Sequence, residues 1–403
     1  MPEQAEHAIR DAISEHGRVT FAEFMRLALY GPDGYYTSGS PISASGDYFT
    51  SPSAHPAFGA LIAAQLHQMW QLLDSPDVFT VAEEAAGNGG LAADITEYAG
   101  RLDRKFADAL DYRALDIAPP ERQHFPVTSL DERPIGITGC LLSNELLDAM
   151  PVHRFEVRNG SVQELFIGLA AGQFVEILDE PSSPVITERV QPFLRALPEG
   201  YRGEVNTDFA QWAATQASTL HTGWLLAIDY GFNRETLYKP QRMSGSLRCY
   251  NQHTLGQDPL KSVGRQDITS HVDFTAVDQS LSANGFRHAG TVTQAEFLSN
   301  LGITGFMKAL QESEMPRTLK RKQELGMQSL VDPGGMGAFV VAAYGRNAPQ
   351  EPLRGIAGTQ SQSRGLPLAP TPVNGRHIDL SGAQTSGSYF EVASFDDLFG
   401  NEP

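Results

Sequence analysis

The sequence predicts an α/β protein with a Rossmann-like sheet, N-terminal helices and an inserted antiparallel β/α lobe, and three observations carry that prediction. Over residues 78–150, apolar runs of strand length alternate with helical stretches, as in a parallel sheet covered by helices. A glycine-rich turn at 83–90 joins the first of those runs directly to a helix start. Over residues 152–178 the pattern changes to short strands separated by tight turns. With 403 residues and 41% hydrophobic content, the chain can bury one large core and a second smaller one.

Residues 6–30 read as two short helices, the second opened by Thr20-Phe21-Ala22-Glu23, a capping box in which Thr20 and Glu23 satisfy free amides reciprocally. Residues 30–56 are rich in Gly, Pro and Ser without a helical period, and 58–73 return to an apolar helix pattern. Residues 1–76 are thus expected to form an N-terminal helical region with a covering loop. Residues 77–150 supply the first part of the core through VFTVAE, a helix from Gly90, YRALDI and CLLSNELLDAM. Residues 151–220 are the antiparallel insertion, with Asn159-Gly160 as a type I′ hairpin turn and Gly172 in a second turn. Residues 221–345 complete the core through WLLAIDYG and AFVVAAYG, with further elements of the substrate lobe between them. Residues 346–403, rich in Gly, Ser, Gln and Pro, are expected to be largely disordered, apart from SYFEVASFDDLFG at 388–400, which can dock as a short segment.

A formal net charge of −18 opposes a phosphate backbone or an anionic membrane and favours cationic substrates, so neither nucleic acid nor membrane is an expected partner. The two cysteines, Cys140 and Cys249, show no CxxC spacing, and His253, His271 and Asp273 match no recurrent ligand pattern. Neither a disulfide framework nor a metal site is expected. The N-terminus lacks the apolar core of a secretion signal and the Arg/Ser bias of a transit peptide, and no apolar run reaches about 18 residues. A cytoplasmic location is the expectation.

The strand at 78–83 runs into Glu83-Glu84-Ala85-Ala86-Gly87-Asn88-Gly89-Gly90. Glycines there let the backbone approach a ligand, and the free amides of the following helix favour an anionic group, which implies a nucleotide-type cofactor. An ordinary tight turn has the same outline. Asp116 ends the next strand, before Ile117, and an acid in that place accepts hydrogen bonds from both ribose hydroxyls. The dehydrogenase pattern G-x-G-x-x-G cannot be placed on 85–90. A methyltransferase-type E-x-G-x-G-x-G fits Glu83, Ala85, Gly87 and Gly89 with one substitution, at Ala85, which favours S-adenosylmethionine over NAD. The loop Gly46-Asp47-Tyr48-Phe49-Thr50-Ser51-Pro52 is expected to fold over the cofactor, with Asp47, Thr50 and Ser51 touching it and Tyr48 and Phe49 excluding water.

At this point the sequence resembles the MidA-like S-adenosylmethionine-dependent methyltransferases, a family that includes a mitochondrial complex I assembly factor that methylates a protein arginine. The resemblance spans residues 19–341. It rests on FAEFMRLALYGPDGYY, GDYFTSP, the turn at 83–90, SNELLDAMPVHRF, AIDYG, QDITSHVDF, EFLSNLGI and LVDPGGMG, in that order. It implies a class I methyltransferase fold, S-adenosyl-L-methionine across the carboxyl ends of the strands, and arginine, free or in a peptide or protein, as methyl acceptor. A homodimer stays open. Where the family has glycine, proline and arginine in its turn, this chain has Ala85, Ala86 and Asn88. The methyl group of Ala85 fits if its dihedral angles are not left-handed, and it crowds the place where the methionine moiety would lie.

Methyl transfer from a sulfonium requires an acceptor aimed in line with the methyl and relieved of its charge, and carboxylates that grip a guanidinium also orient its nitrogen. Asn144 and Glu145 follow the apolar run GCLL, and so stand at the carboxyl end of a central strand; Asn144 is also a candidate for cofactor contact. Asp148, three residues beyond Glu145, would share its face on a helix and complete an acidic clamp, unless both acids only offset a helix dipole. Asp229 in AIDYG either lines the pocket or ties down the turn after it. His271 either relays a proton or hydrogen-bonds a carbonyl. A non-catalytic assembly protein that keeps the fold, and a small-molecule O- or C-methyltransferase, are the competing readings.

Overall fold

The structure, a computed structural model, describes residues 3–38, 50–251, 254–256, 258–358 and 372–378. The chain folds into two compact units, each assembled from three stretches of sequence. One comprises Met1–Pro41, Leu147–Ala213 and Gly231–Ser280; the other comprises Ile42–Leu146, Ala214–Tyr230 and Leu281–Pro403.

The latter unit holds a seven-stranded sheet. In chain order its strands are β1 (Phe79–Glu84), β2 (Leu110–Asp116), β3 (Val127–Ser129), β4 (Ile137–Asn144), β5 (Leu220–Asp229), β6 (Arg287–Thr293) and β7 (Val340–Arg346). They lie side by side in the order β6-β7-β5-β4-β1-β2-β3. The five on the β3 side run parallel, whereas β7 is antiparallel to both β5 and β6. The sheet is therefore mixed, and the expectation of a parallel sheet holds only for β1 to β5. An apolar run such as AFVVAAYG reads alike in either direction, so local pattern does not encode its sense. β6 escaped notice because RHAGTVT has no buried residue to mark it as a strand.

β1 is buried along its whole length, as a central parallel strand covered on both faces must be. The helix Ala57–Leu72 is apolar nearly all round and contributes Phe58, Leu61 and Leu66 to one core with Ile95, Leu142, Ile228, Phe297 and Val341. Burying each large side chain of this kind stabilises the fold by about 1.5–3 kcal/mol. Two described parts of the tail, 346–358 and 372–378, join the same unit. Leu353 is buried, the Gly355 N–H donates to Gln65 Oε1 at 2.9 Å, and residues 372–378 dock on the helix Gly90–Leu102. The segment 388–400 lies outside the described residues.

In the other unit the helices Glu3–His16 and Phe21–Tyr30 pack with a five-stranded antiparallel sheet. Thr20 Oγ1 accepts from the Glu23 N–H at 3.1 Å, while the Glu23 carboxylate pairs with Arg26. Asn159 and Gly160 have φ of +50° and +68°, as a type I′ turn requires. Val19 and Thr20 pair with Ile167 and Phe166 of the inserted strand Ser161–Ala170. The N-terminal region and the insertion thus share one core, built on Phe21, Phe24, Val152, Ile167 and Ile268, instead of standing as separate regions. Among the described residues no helix is long and apolar enough to cross a membrane.

Candidate active site

Strand order reverses between the adjacent strands β1 and β4, and such a reversal opens a crevice outside the carboxyl ends, where doubly wound sheets bind ligands. The ends of β1, β2, β4 and β5 bring Glu83, Ala85, Gly87, Gly89, Asp116, Ile117, Asn144, Glu145 and Asp229 to that edge.

The turn after β1 passes through Ala85, Gly87 and Gly89 at φ of +59°, +54° and +75°. Ala85 is therefore left-handed, the condition under which its methyl is not freely accommodated, at a cost of about 1 kcal/mol relative to glycine. Three hydrogen bonds nonetheless hold the path. The Ala86 N–H donates to the Leu115 carbonyl at 3.0 Å, the Gly87 N–H to Asp116 Oδ2 at 2.9 Å and the Gly89 N–H to the Ala86 carbonyl at 2.9 Å. A Cβ at Gly89 would meet the Phe125 carbonyl at 2.8 Å, whereas one at Gly87 would point into open space. The backbone at Gly87 is thus open to a ligand, and the helix behind it starts with no side-chain cap from Gly89.

Glu83 is 3% exposed and accepts from the Tyr112 hydroxyl at 2.8 Å. Burial pushes its carboxyl up to about 8; the Tyr112 hydrogen bond works against that shift and the nearby Asp116 adds to it. Asp116 is fixed by two amides, Gly87 on Oδ2 and Ala118 on Oδ1 at 3.1 Å, and each oxygen retains capacity for a further donor. Ile117 beside it is an exposed apolar side chain, 50% accessible. An open glycine cradle, an oriented carboxylate and an exposed apolar side chain fit a nucleoside cofactor with a charged tail. Sequence reasoning passed over Glu84, which is buried beneath the turn against Arg133 at 3.1 Å and Gln216 at 3.0 Å. Its partners come from elsewhere in the chain, and no local signal marks them.

Glu145 leaves β4 at φ +53°, a second left-handed non-glycine residue at the same edge. Backbone strain of this kind costs on the order of 1–3 kcal/mol and persists only where the surroundings over-determine it. Here they do. The Glu145 N–H donates to the Ile228 carbonyl at 2.9 Å, and Asp229 accepts from the Leu146 N–H at 3.1 Å and the Tyr230 N–H at 2.8 Å. Asp229, 1% exposed, thus ties down two turns. Asn144 Nδ2 donates to Glu145 Oε1 at 3.0 Å, while Asn144 Oδ1 is buried with no hydrogen-bond partner among the described residues. Residues 145–150 form bends and turns, not a helix, so Glu145 and Asp148 share no helical face and the clamp argument built on that face fails. The left-handed Glu145 is the physical reason, because it breaks the backbone path where a helix would start.

Asp148 and His271 belong to the other unit, where the Ser270 N–H donates to the Asp148 carbonyl at 3.0 Å. His271 is buried between short strands, its N–H donating to Ser246 Oγ at 3.1 Å. Burial, reinforced by Arg242 and Arg248, holds its imidazole well below the ordinary range, so it is neutral. Of the expected covering loop, Asp47, Tyr48 and Phe49 lie outside the described residues. The Thr50 N–H donates to Ser53 Oγ at 3.1 Å. Ser51 is fully buried and its hydroxyl donates to Gln294 Oε1 at 2.9 Å, so that hydroxyl is engaged within the protein.

This geometry agrees with what the chain is similar to. A family described as "Putative S-adenosyl-L-methionine-dependent methyltransferase" matches residues 61–292, more than half of the chain. A solved structure from Burkholderia thailandensis, bound to S-adenosyl-homocysteine, is 28% identical with a TM-score of 0.78, covering 90% of this chain and 97% of its own. The Drosophila melanogaster "Protein arginine methyltransferase NDUFAF7 homolog, mitochondrial" is 27% identical, covering 82% of each chain. The Homo sapiens "Protein arginine methyltransferase NDUFAF7, mitochondrial" is 23% identical, covering 81% of this chain and 79% of its own. The mitochondrial designation of these relatives overturns the cytoplasmic expectation. Cysteine usage and the lack of a long apolar run do not separate one compartment from another. With its switch-point crevice, its glycine cradle and this match, the chain belongs to the S-adenosylmethionine-dependent methyltransferases of that family and has the class I methyltransferase fold.

Proposed function

We propose that the methyl acceptor of this S-adenosylmethionine-dependent methyltransferase is the guanidinium of arginine, free or within a peptide or protein, and that Glu145 is the residue that receives it. The observation that carries this reading is the left-handed Glu145 at the end of β4, whose backbone is clamped by Ile228 and Asp229 and whose carboxylate is oriented by Asn144. A fixed carboxylate beside the cofactor turn suits a planar cation, which it can hold by paired hydrogen bonds. The names of the relatives as protein arginine methyltransferases support the same class of acceptor, and the net charge of −18 suits a cationic one.

In this reading Gly87 and the start of the helix Gly90–Leu102 would hold the carboxylate end of the cofactor, Asp116 its ribose hydroxyls and Ile117 its adenine, and Glu83 would meet its cationic part. The bound cofactor supplies an electrophilic methyl group. Glu145 would aim one guanidinium nitrogen and accept the proton that nitrogen loses as its new N–C bond forms and the S–C bond of the sulfonium breaks, its electron pair going to sulfur to leave the neutral thioether. Asp229 is a positioning residue.

The test is product analysis with isotopically labelled cofactor and arginine or arginine peptides. Label on the guanidinium nitrogen is the expected result. Label on oxygen or carbon, with arginine untouched, would overturn the acceptor.

A further inference from the structure

Asp94 stands one turn into the helix that follows the glycine turn and is only 4% exposed. Both its oxygens are taken by a short segment far away in sequence: Oδ1 accepts from Arg376 Nη2 at 2.8 Å and Oδ2 faces His377 Nε2 at 2.8 Å. The Asn374 N–H donates to His377 Nδ1 at 3.3 Å, which leaves Nε2 as the protonated nitrogen that a carboxylate requires. Arg376 also reaches Glu97 on the next turn of the helix at 2.7 Å.

The same seven residues grip two further elements. The Ile378 N–H donates to the Ser53 carbonyl at 2.9 Å, in the turn that Thr50 opens, and the Val373 N–H donates to Gln323 Oε1 at 3.2 Å. Arg376 and Asp94 also act on His124: burial first and then the Arg376 guanidinium hold its imidazole below its ordinary range, with Asp94 opposing. The His124 N–H donates to the Asn88 carbonyl of the glycine turn at 2.8 Å. At Gly59, any Cβ would come within 2.6 Å of the Asp94 Cβ, so the helix Ala57–Leu72 is seated on this residue as well.

We infer that residues 372–378 are a clasp for the cofactor site, with Arg376, His377 and Asp94 as positioning residues that hold the glycine-turn helix and the Thr50 turn in one arrangement. Without the clasp, Asp94 is a buried carboxylate with its donors gone, and it recovers hydration only if the start of its helix shifts. The clasp thereby sets cofactor affinity without touching the cofactor. The inference rests on the reading that Thr50 belongs to the cofactor site.

The experiment uses the full chain and S-adenosylhomocysteine, with dissociation constants by calorimetry and urea midpoints in parallel. Arg376→Ala combined with His377→Ala is expected to raise Kd about tenfold, within the usual range of coupling between linked sites. His377→Gln, which keeps a donor toward Asp94, is expected to restore most of the loss in the presence of Arg376. A folded double variant with Kd unchanged from wild type would overturn the clasp. If the double variant does not fold, Glu97→Gln loosens only the exposed arm, and the clasp then requires a smaller rise in Kd at an unchanged urea midpoint. Thr50→Ala is measured alongside. No change there sinks the placement of Thr50 at the cofactor, whereas a weakened Thr50→Ala beside unaffected clasp variants sinks the clasp alone.

Discussion

Replacing Glu83 by glutamine should remove a pH-dependent loss of stability that the burial of this carboxyl predicts for the native chain between mildly acidic and mildly basic conditions. In the unfolded chain this carboxyl ionises at its ordinary 4.5; in the fold, burial delays ionisation to about 8. The folded state therefore binds one more proton across that window, and stability is greatest below 4.5 and declines as pH rises toward 8. At 1.36 kcal/mol per unit of pKa, the whole window corresponds to roughly 5 kcal/mol. Solvent screening does not reduce it much, because Glu83 is 3% exposed. Glutamine keeps an acceptor for the Tyr112 hydroxyl, so the packing and the 2.8 Å hydrogen bond survive while the titration does not. The assay is urea denaturation of both proteins at pH 5, 6, 7 and 8, reading the difference between them so that other titrating groups cancel. The variant should gain on wild type by several kcal/mol from pH 5 to pH 8. Two curves that stay parallel would refute the buried-carboxyl account of Glu83. The same reasoning predicts that a cation placed against Glu83 favours its ionised form, so S-adenosylmethionine binding should release a proton and tighten from pH 6 to pH 8, and Glu83→Gln should abolish that dependence.

Further outcomes follow from the same geometry. Glu145→Gln should lower kcat by about 10²–10⁴, as loss of a proton acceptor does, with the Kd for S-adenosylhomocysteine held near wild type; undiminished turnover removes Glu145 from the mechanism. Asp229→Asn places an amide donor against one of two backbone N–H groups and should cost about 1–3 kcal/mol of stability in chemical denaturation. Ala85→Gly should stabilise the chain by about 1 kcal/mol, because it relieves the left-handed alanine, and a neutral or negative change in the urea midpoint would contradict that strain. Truncation after Arg346 strips Leu353 from the core and Arg376 and His377 from Asp94, and should cost about 3 kcal/mol or more; an unchanged melting temperature would show the tail to be dispensable.

The strand and helix sequence along the chain was legible because its signals are local. An apolar run ending in glycines, an Asn-Gly between alternating strands and a Thr placed before a helix each specify a turn or cap through backbone sterics and nearby hydrogen bonds. The turn through Gly87 and Gly89 and the strand end at Asp116 were legible for the same reason, since the pattern itself defines where those strands stop. What tertiary structure alone decided involves partners remote in sequence. The antiparallel sense of β7, the pairing of Val19 and Thr20 with Ile167 and Phe166, and the burial of Glu84 against Arg133 and Gln216 depend on which segments meet, and no local period encodes that. The helical clamp of Glu145 and Asp148 failed because a left-handed residue at φ +53° stands where a helix was assumed, held there by Ile228 and Asp229 some eighty positions away. The tail reads as polar and loose by composition, yet Arg376 and His377 dock, because a buried Asp94 waits for donors that only the folded chain can bring to it.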